Sequence, residues 1–304
     1  MNTLAKKCIP KTPSILRSVL PRGAADAPPR GPSRAIREGA RLASSIIAAL
    51  GLSFAAASSV ADESADIVKQ SQNPVASLIS VPIQNNLEFG VGPNGDQADV
   101  LYLEPVIPLN VTPDWNIITR TIVPFIYEPY LSNRIGNTAG TGDINLSMYL
   151  SPAKTGSLIW GVGPSVTFPT ASDPLLGQGK YSAGLSGAVL TIRGPWVVGV
   201  LVTDVASIGG EAIRRNVHQM LIEPFVDYNL PHGWYLTSVP MITADWKAPS
   251  TDRWTVPIGG GGGKLFRIGK QAINASIHAY GNVVEAHEAG NWTFRVEVSL
   301  LFPK

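Results

Sequence analysis

The side chains best suited to proton transfer near neutral pH are four histidines, His218, His232, His278 and His287. Only His278 has a nucleophile at a useful spacing, in Ser276-Ile277-His278, with Tyr280 two residues further on. Residues two apart on a strand share a face. A strand here would therefore set a serine hydroxyl beside a base, the arrangement of nucleophilic attack on an ester. The other candidates are weaker. Glu285, His287 and Glu288 crowd one loop-like stretch without metal-ligand spacing, so no metal site and no cofactor are expected. Gly259 to Gly263 is followed by no Lys-Ser/Thr pair and opens no strand-to-helix unit, so it reads as a structural bend and not as a phosphate cradle. What remains is a scattered set of charges: Glu88, Glu104, Arg120, Asp143, Glu223, Asp227, Asp245, Arg295 and Glu297.

Those charges fall into order once the elements that carry them are laid out. In the final stretch, Trp292, Phe294, Val296, Val298, Leu300 and Phe302 share one parity, and Thr293, Arg295, Glu297 and Ser299 the other. A strand alternates faces with a period of two, so one face is wholly apolar and the other polar. Upstream, Ser77–Val91 sets Ile79, Val81, Ile83, Leu87 and Phe89 against Ser80, Gln84, Asn86 and Glu88. Similar stretches follow at 98–109, 115–127, 143–151, 157–168, 217–228, 234–246, 254–265 and 271–282, with strands of undecided parity at 181–192 and 196–205. Together with the last one they make twelve.

Connections after even strands are short, as in Asn110–Asp114, Arg193-Gly194-Pro195 and Arg267–Lys270. Several after odd strands are longer, notably 128–142, 169–180 and 207–216. Trp115, Trp196 and Trp234 begin strands just after short turns, whereas Trp246, Trp254 and Trp292 flank the opposite end. Two aromatic rings and a loop asymmetry are the marks of a twelve-stranded antiparallel transmembrane β-barrel of the bacterial outer-membrane type. The polar parity, including His278, is then the pore lining.

Nine of the 24 Lys/Arg but only two of the 22 Asp/Glu lie in the first 61 residues, so 15 basic residues face 20 acidic ones beyond them. That balance argues against a nucleic-acid partner. Arg34, Arg37 and Arg41, the apolar run Leu42–Ala57 and the small residues Ser59-Val60-Ala61 read as a secretory signal cut before Asp62. The expected organisation is an extension plus cleaved signal over 1–61, a polar periplasmic lead-in over 62–76, and a barrel over 77–304. The only cysteine, Cys8, falls in the removed part.

Several motifs also resemble one family. Asn73-Pro74 to Pro93, Glu104-Pro105-Val106-Ile107-Pro108, Ser151-Pro152-Ala153-Lys154, Trp160-Gly161-Val162-Gly163-Pro164 with Phe168-Pro169-Thr170-Ala171, and Gly233-Trp234-Tyr235 to Trp246 are similar to outer-membrane proteins labelled as transporters or phenol meta-cleavage pathway proteins, and also as neuromedin U. The resemblance spans about residues 70–304 and supplies no site residues. It implies passive transport, with aromatic or other hydrophobic compounds as cargo. Phe302 resembles the terminal signal read by barrel-assembly machinery, although Pro303-Lys304 follow it.

The expected function is therefore an outer-membrane channel moving small solutes passively, with outer-membrane lipid around it and no enzymatic activity. The lining is mildly acidic and would favour neutral or cationic solutes. Two alternatives remain: a lipid-acting barrel enzyme using Ser276 and His278, and a barrel closed by internal ion pairs. Arg120 is expected to pair with Glu104 on the preceding strand, and Arg295 and Glu297 to face Glu88 where the barrel closes.

Overall fold

A computed structural model of the chain describes residues 61–92, 94–129, 137–154, 156–286 and 289–303. The secretory signal and the pair His287-Glu288 lie outside these residues. After a helix, α1 (Ala61–Ser71), the chain is almost entirely strand: β1 (Ile79–Val91), β2 (Asp96–Leu103 and Val106–Asn110), β3 (Trp115–Glu128) and β4 (Thr138–Thr141 and Ile144–Pro152). There follow β5 (Ile159–Phe168), β6 (Lys180–Arg193), β7 (Trp196–Gly210), β8 (His218–Asn229), β9 (Trp234–Ser238 and Ile242–Asp245), β10 (Trp254–Ile268), β11 (Gln271–Val284) and β12 (Trp292–Phe302). Each strand pairs antiparallel with the next. β12 then pairs with β1 from Ile79↔Phe302 to Phe89↔Trp292, closing a twelve-strand barrel.

Closure is what a hydrocarbon environment requires, because a free edge would leave a row of backbone donors and acceptors with no water to satisfy them. The side chains agree. Phe125, Leu150, Leu185, Leu236, Ile258, Ile277 and Trp292 are exposed on the outer wall, forming an apolar surface far larger than a water-soluble protein carries. The inward parity holds Ser147, Ser165, Ser182, Ser186, Asn274 and Ser299, all buried. The strands of undecided parity resolve here: Ser182, Ser186 and Leu190 of β6 and Val197 and Leu201 of β7 point inward.

The glycine run differs from its expected role. Residues 258–268 pair with β11 without a break, and the register shift lies earlier, between Val256 and Pro257. The glycines supply room for neighbours: a Cβ on Gly263 would collide with the Tyr235 ring.

The inside is not an open tube. Ile118, Tyr149, Ile159, Leu190, Val197, Leu201 and Phe225 form an apolar cluster on the β3–β8 side, joined by Val75 from the segment ahead of β1. A second cluster seats Ile67 and Val68 of α1, with Ala76 and Leu78, on Tyr235, Leu265, Ala272 and Leu301 of the inner wall. Burying Ile67, Val68 and Leu78 contributes about 1.5–3 kcal/mol each. The lead-in 62–76 is thus packed into the short-turn mouth, where Gly161 leaves space for Val75.

An Ile277→Arg substitution tests which way the wall faces. Ile277 is 57% exposed near the middle of β11, so a charge there is expected to cost about 2–4 kcal/mol in reversible denaturant unfolding from phospholipid vesicles. No change in stability would contradict a lipid-facing position.

Candidate functional site: a charged lumen plugged at the short-turn mouth

Seven of the ten expected pore residues meet at one place. Glu104, Arg120, Glu223, Asp227, His278, Arg295 and Glu297 line a lumenal cavity of about 180 Å³, whose lower wall is Gln70–Pro74 of the plugging segment. Arg120 is the hub. Its Nε and Nη2 donate to Glu104 Oε2 at 3.2 and 2.7 Å, and its Nη1 donates to Glu223 Oε2 at 3.2 Å. Glu104 sits in the Glu104-Pro105 break of β2, opposite the register at which Arg120 faces Val106. Glu223 lies on β8, five strands further round, so this second bond crosses the lumen. The alternation of β3 and β8 turns both side chains inward, but only the curvature of the wall brings them together.

Arg295 is held in a second network. Its Nε donates to Asn86 Oδ1 at 2.9 Å, its Nη1 to the Val239 carbonyl at 2.9 Å, and its guanidinium carbon lies 5.0 Å from the Tyr280 ring centroid. The expected facing of Arg295 and Glu297 with Glu88 is off by register. Asn86 stands opposite Arg295, Gln84 opposite Glu297, and Glu88 opposite Thr293. Val239 belongs to a break in β9, where Pro240 removes a ladder donor. The freed backbone is satisfied within the lumen, since the Val239 N–H donates to Tyr280 Oη at 3.0 Å and its carbonyl accepts from Arg295. Irregular backbone at membrane depth is tolerated only where protein or a cavity meets it in this way.

His278 makes the contacts its spacing foretold. Nε2 lies 2.9 Å from Ser276 Oγ and Nδ1 lies 3.0 Å from Tyr280 Oη. This is a nucleophile, a base and an orienting hydroxyl in hydrogen-bond reach. All three face the lumen; Ser276 and His278 are 8% and 5% exposed.

The remaining expected residues are elsewhere. Glu88 sits higher on β1, above the cavity lining. Asp245 pairs with Arg215 and accepts from the Lys247 N–H at 2.9 Å, near the long-loop end. Asp143, between the two segments of β4, holds a loop: Oδ1 accepts from the Ala171 N–H at 3.1 Å and Oδ2 from the Gln178 N–H at 2.6 Å. With Arg214 Nη2 donating to the Pro174 carbonyl at 2.6 Å and Leu176 buried, residues 169–179 are tied down at the long-loop end.

At the opposite mouth, Gln72 and Asn229 exchange amide hydrogen bonds at 3.0 Å in both directions. Asn274 donates to Ser71 Oγ at 3.3 Å and Asn116 to Ser77 Oγ at 3.0 Å. These plug contacts were missed because the segment is polar overall. Its only cue is the pair Ile67-Val68, apolar residues with no strand partner of their own.

No family model matches the sequence, and no curated protein does. Solved structures do match. The COG4313 outer membrane channel from Pseudomonas putida F1 superposes with a TM-score of 0.57 at 18% identity, over 74% of this chain and 94% of that one. Outer membrane phospholipase A of Escherichia coli reaches 0.40 at 14% identity, over 74% and 92%, and a FadL homologue of Pseudomonas aeruginosa 0.35 at 9%, over 75% and 91%. The last two scores are too low to carry an argument. The fold is that of a bacterial outer-membrane barrel, and its apolar outer surface places the chain in that membrane.

The hub can be tested by removing it. Arg120→Met leaves Glu104 and Glu223 buried without a partner, and is expected to lower unfolding stability by about 3–5 kcal/mol. Adding Glu104→Gln and Glu223→Gln is expected to recover most of that loss. A triple variant no more stable than Arg120→Met would show that the three charges do not act as a unit.

Proposed function

We propose that the protein is a normally closed outer-membrane channel for the passive movement of small molecules. The observation that carries this reading is the charged cavity inside a complete wall, sealed below by α1 and its following turn and crossed by one ion bridge. The Pseudomonas putida protein of like fold is described as a channel. Closure by a docked segment and by side chains, in place of a solid core throughout, leaves seals that separate from the wall without unfolding it. Arg120 is the gate residue: its bridge from Glu104 to Glu223 spans the lumen and must part for a solute to pass. Aromatic or other hydrophobic compounds are the cargo class implied by the motif resemblance, and the barrel-assembly machinery reading Phe302 is its partner in insertion.

A second reading, ester or lipid hydrolysis, draws on the 2.9 Å Ser276–His278 contact. It requires substrate inside the lumen, since neither group faces the lipid. Loss of lipid hydrolysis in His278→Ala would favour it.

Single-channel recording in planar bilayers separates the readings. The wild type is expected to open rarely, Arg120→Ala to raise conductance, and removal of residues 62–76 to raise it further. Zero conductance in all three forms would sink the channel reading.

A further inference from the structure

Two inward carboxyl groups make no close ion pair with either network described above, although the charge of Arg295 acts on one of them, Glu88, from farther off. Glu88 of β1 stands opposite Ala98 of β2. On the other side of β2, Asp99 pairs with Tyr127, and the same register carried one residue on sets Glu128 of β3 beside Ala98 as well. Both glutamates therefore flank one alanine at one height of the wall. Adjacent strands are about 4.8 Å apart, so their backbones are separated by about 10 Å with only a methyl group between them. Side chains three bonds long converge readily over such a gap on a concave surface.

Their partners are what is unusual. Glu128 is only 6% exposed, yet its Oε1 accepts no hydrogen bond. Among the described residues no ion pair reaches either carboxylate. Arg295 makes its close contacts with Asn86, the Val239 carbonyl and the Tyr280 ring, and its charge reaches Glu88 only across a longer gap. A carboxyl oxygen hidden from water without a donor is costly to bury, and a bound cation would remove that cost.

We propose that Glu88 and Glu128 form a binding site for the ammonium group of a small organic amine. A primary ammonium offers three donors, enough for both carboxylates and a neighbouring hydroxyl such as Thr293 or Thr138, which stand opposite Glu88 and Glu128. One inward step along the wall, Val100 pairs with Ile126, an apolar surface for the body of the amine. A dedicated divalent-ion site fits less well. Such ions take six to eight oxygen ligands, and among the described residues no group of three or more acidic, histidine or cysteine side chains is placed to hold one. The assignment names a cargo class for the proposed channel and rests on that reading for its purpose, although binding itself needs no conduction.

The test is a calorimetric titration of the detergent-solubilised barrel with benzylamine and, separately, with benzyl alcohol and calcium chloride. Benzylamine is expected to bind the wild type at least tenfold more tightly than Glu128→Gln or Glu88→Gln, and benzyl alcohol to bind none of them. Ala98→Leu, which fills the gap without changing a charge, is expected to abolish binding; heat-modifiable gel migration confirms that each variant is folded. Equal benzylamine affinity in wild type and Glu128→Gln overturns the site. Calcium binding that depends on Glu128, with no benzylamine binding, overturns the ammonium assignment. A barrel that binds benzylamine but never conducts leaves the site standing and removes the channel.

Discussion

The structure depends on one seam. β1 and β12, at opposite ends of the barrel sequence, pair over eleven successive positions from Ile79↔Phe302 to Phe89↔Trp292. Without that pairing two strand edges would face hydrocarbon, where an unsatisfied backbone group costs several kcal/mol. With it, the strand number is fixed at twelve, and so is the problem of the interior. Eight strands enclose a space that side chains fill, and sixteen or more leave an aqueous channel. Twelve leave a space too wide to fill from the wall and too narrow to ignore.

The chain meets that problem with three different materials. The β3–β8 side is filled with an apolar cluster centred on Ile118 and Tyr149, both fully buried. The short-turn mouth is filled by α1 and the turn after it, and at the long-loop end residues 169–179 hang on Asp143. Between them lies the charged layer, where Arg120 and Arg295 each tie several wall elements together. A buried ion bridge adds little net stability compared with an apolar filling, but breaking it is costly. It therefore suits a seal with two distinct states better than it suits a core.

What was legible in the sequence follows from the same physics. Lipid on one side and a polar lumen on the other force a period of two, so β12, β1 and β4 could be read face by face. Loop lengths and tryptophans recorded which end was which. Contacts between strands far apart in order leave no local trace: nothing near Arg120 points to Glu223. Asp143 carried the parity of a pore residue, but its β4 break turns it to the 169–179 loop, which only a folded chain reveals. The stretch 234–246 reads as one strand, whereas the folded chain breaks it at Val239-Pro240 and turns the Val239 carbonyl inward to meet Arg295. The Ser276–His278 contact was legible because it lies within one strand face.

A segment that shuts the lumen by docking can be held in place with a reversible tether. Val75 lies against Gly161 on the inner wall: a Cβ added to the glycine would stand 2.9 Å from Val75 Cγ1, so side chains at the two positions meet directly. In a Cys8→Ser, Arg120→Ala background, Val75→Cys with Gly161→Cys can lock the segment in place by a disulfide. Single-channel recording is predicted to show a silent oxidised protein that conducts after reduction with dithiothreitol. Equal conductance before and after reduction, with the disulfide verified by mass, would show that the segment does not shut the lumen.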